Sequence, residues 1–290
     1  MVEQPLVPTG PLNIEEEPIS FGARLNEFPW WLLSIFLIAI WVFFIILTNQ
    51  NYNEAFNFIK AGLRITIQTA LTAYGFALIF GLIAGLGRLS KNIFFNNLAR
   101  LYVELIRGVP ILVLIFFIAL VGVPSVVDGL NALGEWLMTI GAKPLAAALT
   151  AFNNQNISMN ARAIVALSVT YGAYLAEIFR AGIQSIEHGQ MEAARSLGMS
   201  YAQAMRHIIL PQAIRNVLPA LGNDFVAMVK DSSLVSVLAV RDITQVSRLY
   251  AGSTFRFREA YVTLSVLYLT MTILLSLGVQ LIERRLRAND

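Results

Sequence analysis

The sequence predicts an all-α integral membrane protein with about six transmembrane helices and a helical hairpin on its cytoplasmic side. Three observations carry this. The 290 residues are 57% hydrophobic and only 13% charged, with a mean hydropathy of +0.64, which is more apolar surface than a soluble domain of this size buries. Stretches 28–48, 65–87, 109–127 and 260–282 contain no charged side chain, and each is close to the ~20 residues a helix needs to cross the hydrocarbon layer. Stretches 161–183 and 208–240 are apolar enough to span but carry Glu177, Arg180, Arg215, Asp224, Lys230 and Asp231. Ionisable groups at membrane depth face a protein interior or a watery path, so these least hydrophobic spans are expected to be the functional ones.

In chain order, residues 1–27 combine Pro5, Pro8, Pro11 and Pro18 with the acidic run Glu15, Glu16 and Glu17, a composition without core-forming power that predicts a mobile cytoplasmic tail. The apolar run 28–48 starts well into the chain, is longer than a signal-peptide core and has no small-x-small cleavage site after it. It is expected to persist as an additional N-terminal membrane anchor. Six spans put both termini on one side. Arg88, Lys91 and Arg100 between spans two and three, the arginines after span six (Arg284, Arg285, Arg287), and Arg180, Arg195, Arg206 and Arg215 between spans four and five all assign that side to the cytoplasm. Against this assignment, the tail has only Arg24, and the nominally external stretch after Val240 holds Arg241, Arg248, Arg256 and Arg258. The external connection 124–160 has a moderately apolar helical middle, 130–140, followed by an Asn-rich stretch.

Several function classes fall away. The net charge of +3 rests on few residues gathered between helices, without a nucleic-acid signature. With no cysteine, and with His188 and His207 too far apart for an i, i+4 ligand pair, no metal is expected. A G-x4-G-K-[ST] phosphate loop is missing, and Gly81, Gly85 and Gly87 sit in an uncharged apolar run where small residues serve helix packing. The chain is therefore expected to bind no nucleotide. An intramembrane hydrolase using Ser232 or Ser233 would have no histidine base within a span.

Between spans four and five lies a patterned segment, residues 187–211. Glu192-Ala193-Ala194-Arg195-Ser196-Leu197-Gly198 is followed, nine residues later, by Ile208-Ile209-Leu210-Pro211. The alanines favour helix, Gly198 is placed to end it in the left-handed conformation, Ser200 and Gln203 form a capping box for a second helix, and Pro211 resets the chain as it returns to the membrane. Spacing alone is equally met by an ordinary amphipathic helix lying on the membrane surface.

The full pattern resembles the E-A-A-x3-G-x9-I-x-L-P signature of binding-protein-dependent ABC importer permeases, and it fits every fixed position. Glu104-Leu105-Ile106-Arg107-Gly108-Val109-Pro110 at the start of span three, the run Y-G-A-Y-L-A-E-I-F-R from Tyr171 to Arg180, Gly189-Gln190, and Lys230-Asp231-Ser232-Ser233-Leu234 resemble the polar amino acid branch of that family. The resemblance covers 61–287. It implies the type I ABC importer permease fold in a bacterial inner membrane, a substrate-binding protein outside, a second permease copy or a sister permease, and ATPase subunits that carry ATP and magnesium.

In such importers the hairpin docks in a groove of the ATPase. Ala193 and Ala194 would permit close approach, Glu192 would pair with a basic residue, and Gly198 would set the angle between the arms, with Leu210 and Pro211 closing the segment. An ion-gradient-driven secondary amino acid transporter is the competing reading. It would also place charges inside helices but has no use for an ATPase-docking hairpin.

For the substrate, Asn223, Asp224, Lys230, Asp231, Ser232 and Ser233 lie in span five, with Asp224 and Asp231 two helical turns apart on one face, about 10 Å from each other. Two readings stand: the carboxylates meet the ammonium of an amino acid, or the charges hold helices together. Tyr171 and Tyr174 in span four either pack or line a cavity, and Pro219 is expected to kink span five. Glu177 with Arg180, and Glu104 with Arg107, are each i, i+3 and are expected to form intrahelical ion pairs, the second fixing the start of span three.

Overall fold

The computed structural model describes residues 30–287, and within them the chain is a series of helices joined by short connections, without a strand. The tail 1–27 lies outside the described residues. The chain divides into two compact units at Phe44 and Ile45, and helix α1 (Trp30–Thr48) straddles the division. It carries no charge and exposes Leu37, Ile38, Trp41, Phe43 and Phe44, a surface that water does not tolerate and a bilayer does.

The second unit begins with α2 (Gln50–Ile59), which a 3-10 turn joins to α3 (Leu63–Leu89). α4 (Ile93–Arg107) follows, and then α5 (Ile111–Phe117) runs through a π-turn (Ile118–Gly122) into α6 (Val123–Thr139). Beyond α7 (Lys143–Thr150) come α8 (Met159–Gln184), α9 (His188–Ser196) and α10 (Tyr201–Ala204). A second π-turn (Met205–Ile209) leads into α11 (Leu210–Asp231), a 3-10 stretch (Ser232–Leu238), α12 (Ile243–Thr254) and α13 (Phe257–Arg287). Gln50–Leu89, Ile111–Thr139, Met159–Gln184 and Phe257–Arg285 are each long and apolar enough to cross a membrane.

Two expectations are corrected here. Glu104 and Arg107 do not open span three: they close the separate helix α4, because Pro110 lacks an amide and leaves the α region unfavourable before it, so the next helix starts only at Ile111. The apolar middle 130–140 is not a separate external helix but the continuation of span three, since the π-turn carries the chain past Gly122 and Pro124 occupies the first turn of α6, where no amide is required.

α8 is the hub. It is the most buried of the long helices, and it lies against α3 along a seam of small residues: Ala70, Ala73, Ala77 and Gly81 on one side and Ala163, Ala166, Gly172, Ala173 and Ala176 on the other, all buried. A Cβ placed on Gly81 would lie 2.6 Å from Leu175 Cβ, and one on Gly85 2.9 Å from the Ala176 carbonyl. Gly87 meets Ala99 of α4 in the same way, at 2.9 Å. The helix-packing role read for these three glycines thus has a backbone-level cause: without a hydrophobic drive between helices in lipid, close van der Waals approach is what holds them.

At one end of this core, Arg162 is 8% exposed and donates to the carbonyls of Ile157 (3.3 Å), Ala119 (3.2 Å) and Asn154 (2.6 Å). The Ala119 carbonyl belongs to the π-turn of span three, whose wider winding frees backbone acceptors. Elsewhere Arg256, one of the arginines that counted against the orientation, pairs with Glu54 of α2 at 2.6 Å.

Candidate functional site: the hairpin and the span it continues into

The hairpin is built largely by local interactions. α9 ends in paired bonds from Gly198 N to Arg195 O (3.0 Å) and Met199 N to Ala194 O (3.1 Å), with Gly198 at φ +84°. This Schellman arrangement requires a left-handed residue, which glycine supplies without steric cost. The second arm starts at Ser200, whose hydroxyl accepts from Gln203 N (3.2 Å) while Gln203 Oε1 accepts from Ser200 N (2.8 Å). That is the capping box expected from the sequence.

Glu192 and Ala193 are exposed at the surface of α9, flanked by Leu197 at 84% and Tyr201 at 62% exposure. Ala194 is not available for docking as expected: it is 1% exposed, because it sits on the face of α9 that packs against the second arm, where Ala204 and Ile209 are buried too. Leu210 and Pro211 are exposed, and Pro211 falls in the first turn of α11. The chain is not reset at Pro211, because the π-turn before it continues the winding and the proline ring occupies a position that tolerates a missing amide. The second arm and span five are therefore one unbroken rod from Tyr201 to Asp231.

The substrate-pathway candidates separate into two groups. Tyr171 is 3% exposed and donates its hydroxyl to Asp231 Oδ2 at 2.7 Å, while its ring stands 6.0 Å from that of Tyr174. Asp224 has a buried carboxylate oxygen, Oδ2, with no hydrogen-bond partner. The Tyr171–Asp231 bond links α8 to α11. Asn223 and Lys230 are exposed, Ser233 is half-buried, and the buried Ser232 bonds the Val229 carbonyl at 2.7 Å, which accounts for its hydroxyl. A cavity of about 350 Å³ beside Pro219 is lined by Leu71, Tyr74, Phe225 and Val279. Its lining includes Glu283 but neither Asp224 nor Asp231.

A charged network that the sequence showed only in part lies where α8 approaches the hairpin. The expected Glu177–Arg180 pair is present at 2.5 Å, but Glu177 also takes Arg88 from the end of α3 at 2.5 Å. The expected Glu104–Arg107 pair is replaced, because the two side chains leave the end of α4 toward different neighbours: Glu104 lies 3.9 Å from Arg88, and the Arg107 guanidinium sits 5.6 Å from the centre of the Tyr174 ring.

Comparison with known proteins decides what kind of chain this is. Residues 77–288 match the family described as the binding-protein-dependent transport system inner membrane component. The chain belongs to that family. It is thus a non-catalytic membrane component of a transport system, built on the type I ABC importer permease fold. Among its relatives, the probable amino-acid permease protein YxeN of Bacillus subtilis is 37% identical over 80% of this chain and 92% of its own. The glutamine transport system permease protein GlnP of Escherichia coli is 32% identical over 78% and 91%. Among solved structures, an amino acid ABC transporter crystallised with histidines aligns with a TM-score of 0.65 at 35% identity, over 83% of this chain and 98% of that one. The MetNI methionine transporter, at 19% identity and a TM-score of 0.57 over 79% of this chain and 96% of that one, shares the fold.

Proposed function

We propose that this chain is the membrane-spanning permease subunit of an ATP-driven importer that moves polar amino acids across the bacterial plasma membrane by alternating access. The observation that carries the reading is the continuity of the hairpin with α11: an exposed knob at Glu192, Ala193 and Leu197 is joined through Gly198 to one rod that ends at Asp231. Displacing the knob moves the helix that bears Asp224 and Asp231. Separate ATPase subunits, holding ATP and magnesium, grip the knob and supply the differential binding that any two-state switch requires. The hairpin and both termini face the cytoplasm, a second permease copy or a sister chain completes the pathway, and an amino-acid-binding protein delivers substrate from outside.

Asp224, with its unpartnered oxygen, and Asp231, held by Tyr171, are the groups we assign to the substrate ammonium, with Tyr174 at their side. An unsatisfied buried carboxylate is costly and is retained where a ligand or an ion meets it. The test is uptake of a labelled amino acid panel into vesicles containing the chain, its ATPase and its binding protein, with ATP or a nonhydrolysable analogue inside. Accumulation with ATP alone supports the importer and names the substrate. Accumulation that ignores nucleotide and follows an ion gradient overturns it.

A further inference from the structure

We propose that Glu177 is a positioning residue that hands movement of the 187–211 hairpin to α3 and α4, through its bond to Arg88. This rests on the importer reading given above and adds to it a transmission point outside the hairpin and outside the substrate path.

The two oxygens of the Glu177 carboxylate are divided between helices. Oε1 accepts from Arg180 of its own helix (Nη2, 2.5 Å; Nε, 3.2 Å), whereas Oε2 accepts from Arg88 Nη1 at 2.5 Å. Arg88 is in the last turn of α3, and its side chain is 13% exposed against 25% for Glu177. The Arg88 carbonyl accepts from Asn96 Nδ2 at 2.6 Å, which joins the end of α3 to α4. The far end of α4 returns to α8 through Arg107 over Tyr174. One carboxylate therefore closes a circuit of α8, α3 and α4.

On the other side, α8 runs unbroken from Glu177 to Gln184 and then enters the hairpin at His188. There it is fastened to the root of the second arm by Asn216 Nδ2 to Ser185 Oγ, 2.9 Å, and by contact of Gly182 with Val217. Both arms thus converge on the last turns of α8, and the charged circuit is the polar fastening from those turns to α3.

Packing alone does not fix this transmission. The hydrogen bonds along the Ala/Gly seam of α3 and α8, Thr69 Oγ1 to Asn160 Oδ1 (2.7 Å) and Ser168 Oγ to the Ala73 carbonyl (3.2 Å), lie toward the end away from the hairpin, and nearer the hairpin the seam is held by close packing, which is non-directional and admits small shear movements. Charge-assisted hydrogen bonds are directional and short-ranged. Placed at the end of the seam, the Arg88–Glu177 bond sets the axial register, so a push on the hairpin moves α3 and α4 with α8 rather than past it.

The experiment is a double-mutant cycle on the reconstituted complex of this chain with its ATPase and binding protein, reading amino acid imported per ATP hydrolysed. R88Q and E177Q should each lower that ratio by about threefold or more, the R88Q/E177Q double should be no worse than the worse single, and R180Q, which removes only the intrahelical half, should change it by less than about twofold. R88K, which keeps the charge and loses the two-pronged guanidinium, should fall between wild type and R88Q, and it replaces R88Q if that variant is not recovered from the membrane. Import and hydrolysis falling together at a constant ratio would mean that the bond only holds the fold, and multiplicative losses in the double would mean that the two side chains act separately; either overturns the proposal. Import by the unaltered chain that does not depend on ATP overturns the importer reading and the link with it.

Discussion

Gly182 lets α8 and α11 pack closely beside the hairpin, and enlarging it should force them apart. A Cβ at this position would lie 1.9 Å from Val217 Cγ2 and 3.4 Å from Val217 Cβ. Carbon atoms rest at about 3.5–4.0 Å, so Gly182→Ala demands roughly 1.5–2 Å of movement at the methyl. Val217 cannot easily turn aside, because a β-branched residue in a helix has one strongly preferred rotamer, and it is 5% exposed. Overpacking of this kind costs about 1–3 kcal/mol.

Val217→Ala removes the methyl that Gly182→Ala would strike, so the two changes should be coupled. In purified protein, the thermal midpoint of G182A/V217A should exceed the value expected from adding the two single losses, with an interaction of about 0.5–3 kcal/mol. Import should follow the same order. A loss from G182A that is as large in the V217A background as in the wild-type one would refute the reasoning, because the clash would then not be with Val217.

Other expected outcomes follow from the same geometry. Gly198→Val places a β-branched residue at φ +84°, at about 1–2 kcal/mol or more; ATP-dependent import should be lost while the chain remains in the membrane, with Glu192→Ala giving a milder loss, and normal import in both would count against docking of the hairpin. Neutralising Asp224 and Asp231 together should change which amino acids compete for import, and an unaltered competition panel would remove them from the pathway. Arg162→Met strands the buried Ala119 carbonyl and two part-buried ones, of Ile157 and Asn154, and an unsatisfied buried acceptor alone costs about 1–3 kcal/mol, so the thermal midpoint should drop clearly; an unchanged midpoint would show that the π-turn keeps its shape without the guanidinium.

What could be read without coordinates was what depends on neighbours in sequence. Four of the expected spans, the Gly198 stop, the Ser200–Gln203 capping box and the Glu177–Arg180 pair depend on nearby residues, and each is found where periodicity and capping chemistry put it. The failures were also informative. Glu104 and Arg107 were read at the start of span three, where Pro110 instead separates them from it in a helix of their own, and Pro211 was read as resetting the chain, where a π-turn carries the winding through. A proline constrains its own φ and amide but does not determine how the preceding turn compensates.

The sequence alone therefore determined the membrane class and the hairpin, because hydrophobic length and helix caps are local properties. Tertiary structure alone decided that Ala194 turns inward, that Arg88 rather than Arg107 engages Glu177 at close range, that Tyr171 takes Asp231 and leaves an oxygen of Asp224 unmatched, and that Arg162 meets the Ala119 carbonyl. Those facts depend on which face each helix shows to helices distant in the chain, and helical spacing specifies a face without specifying its partner.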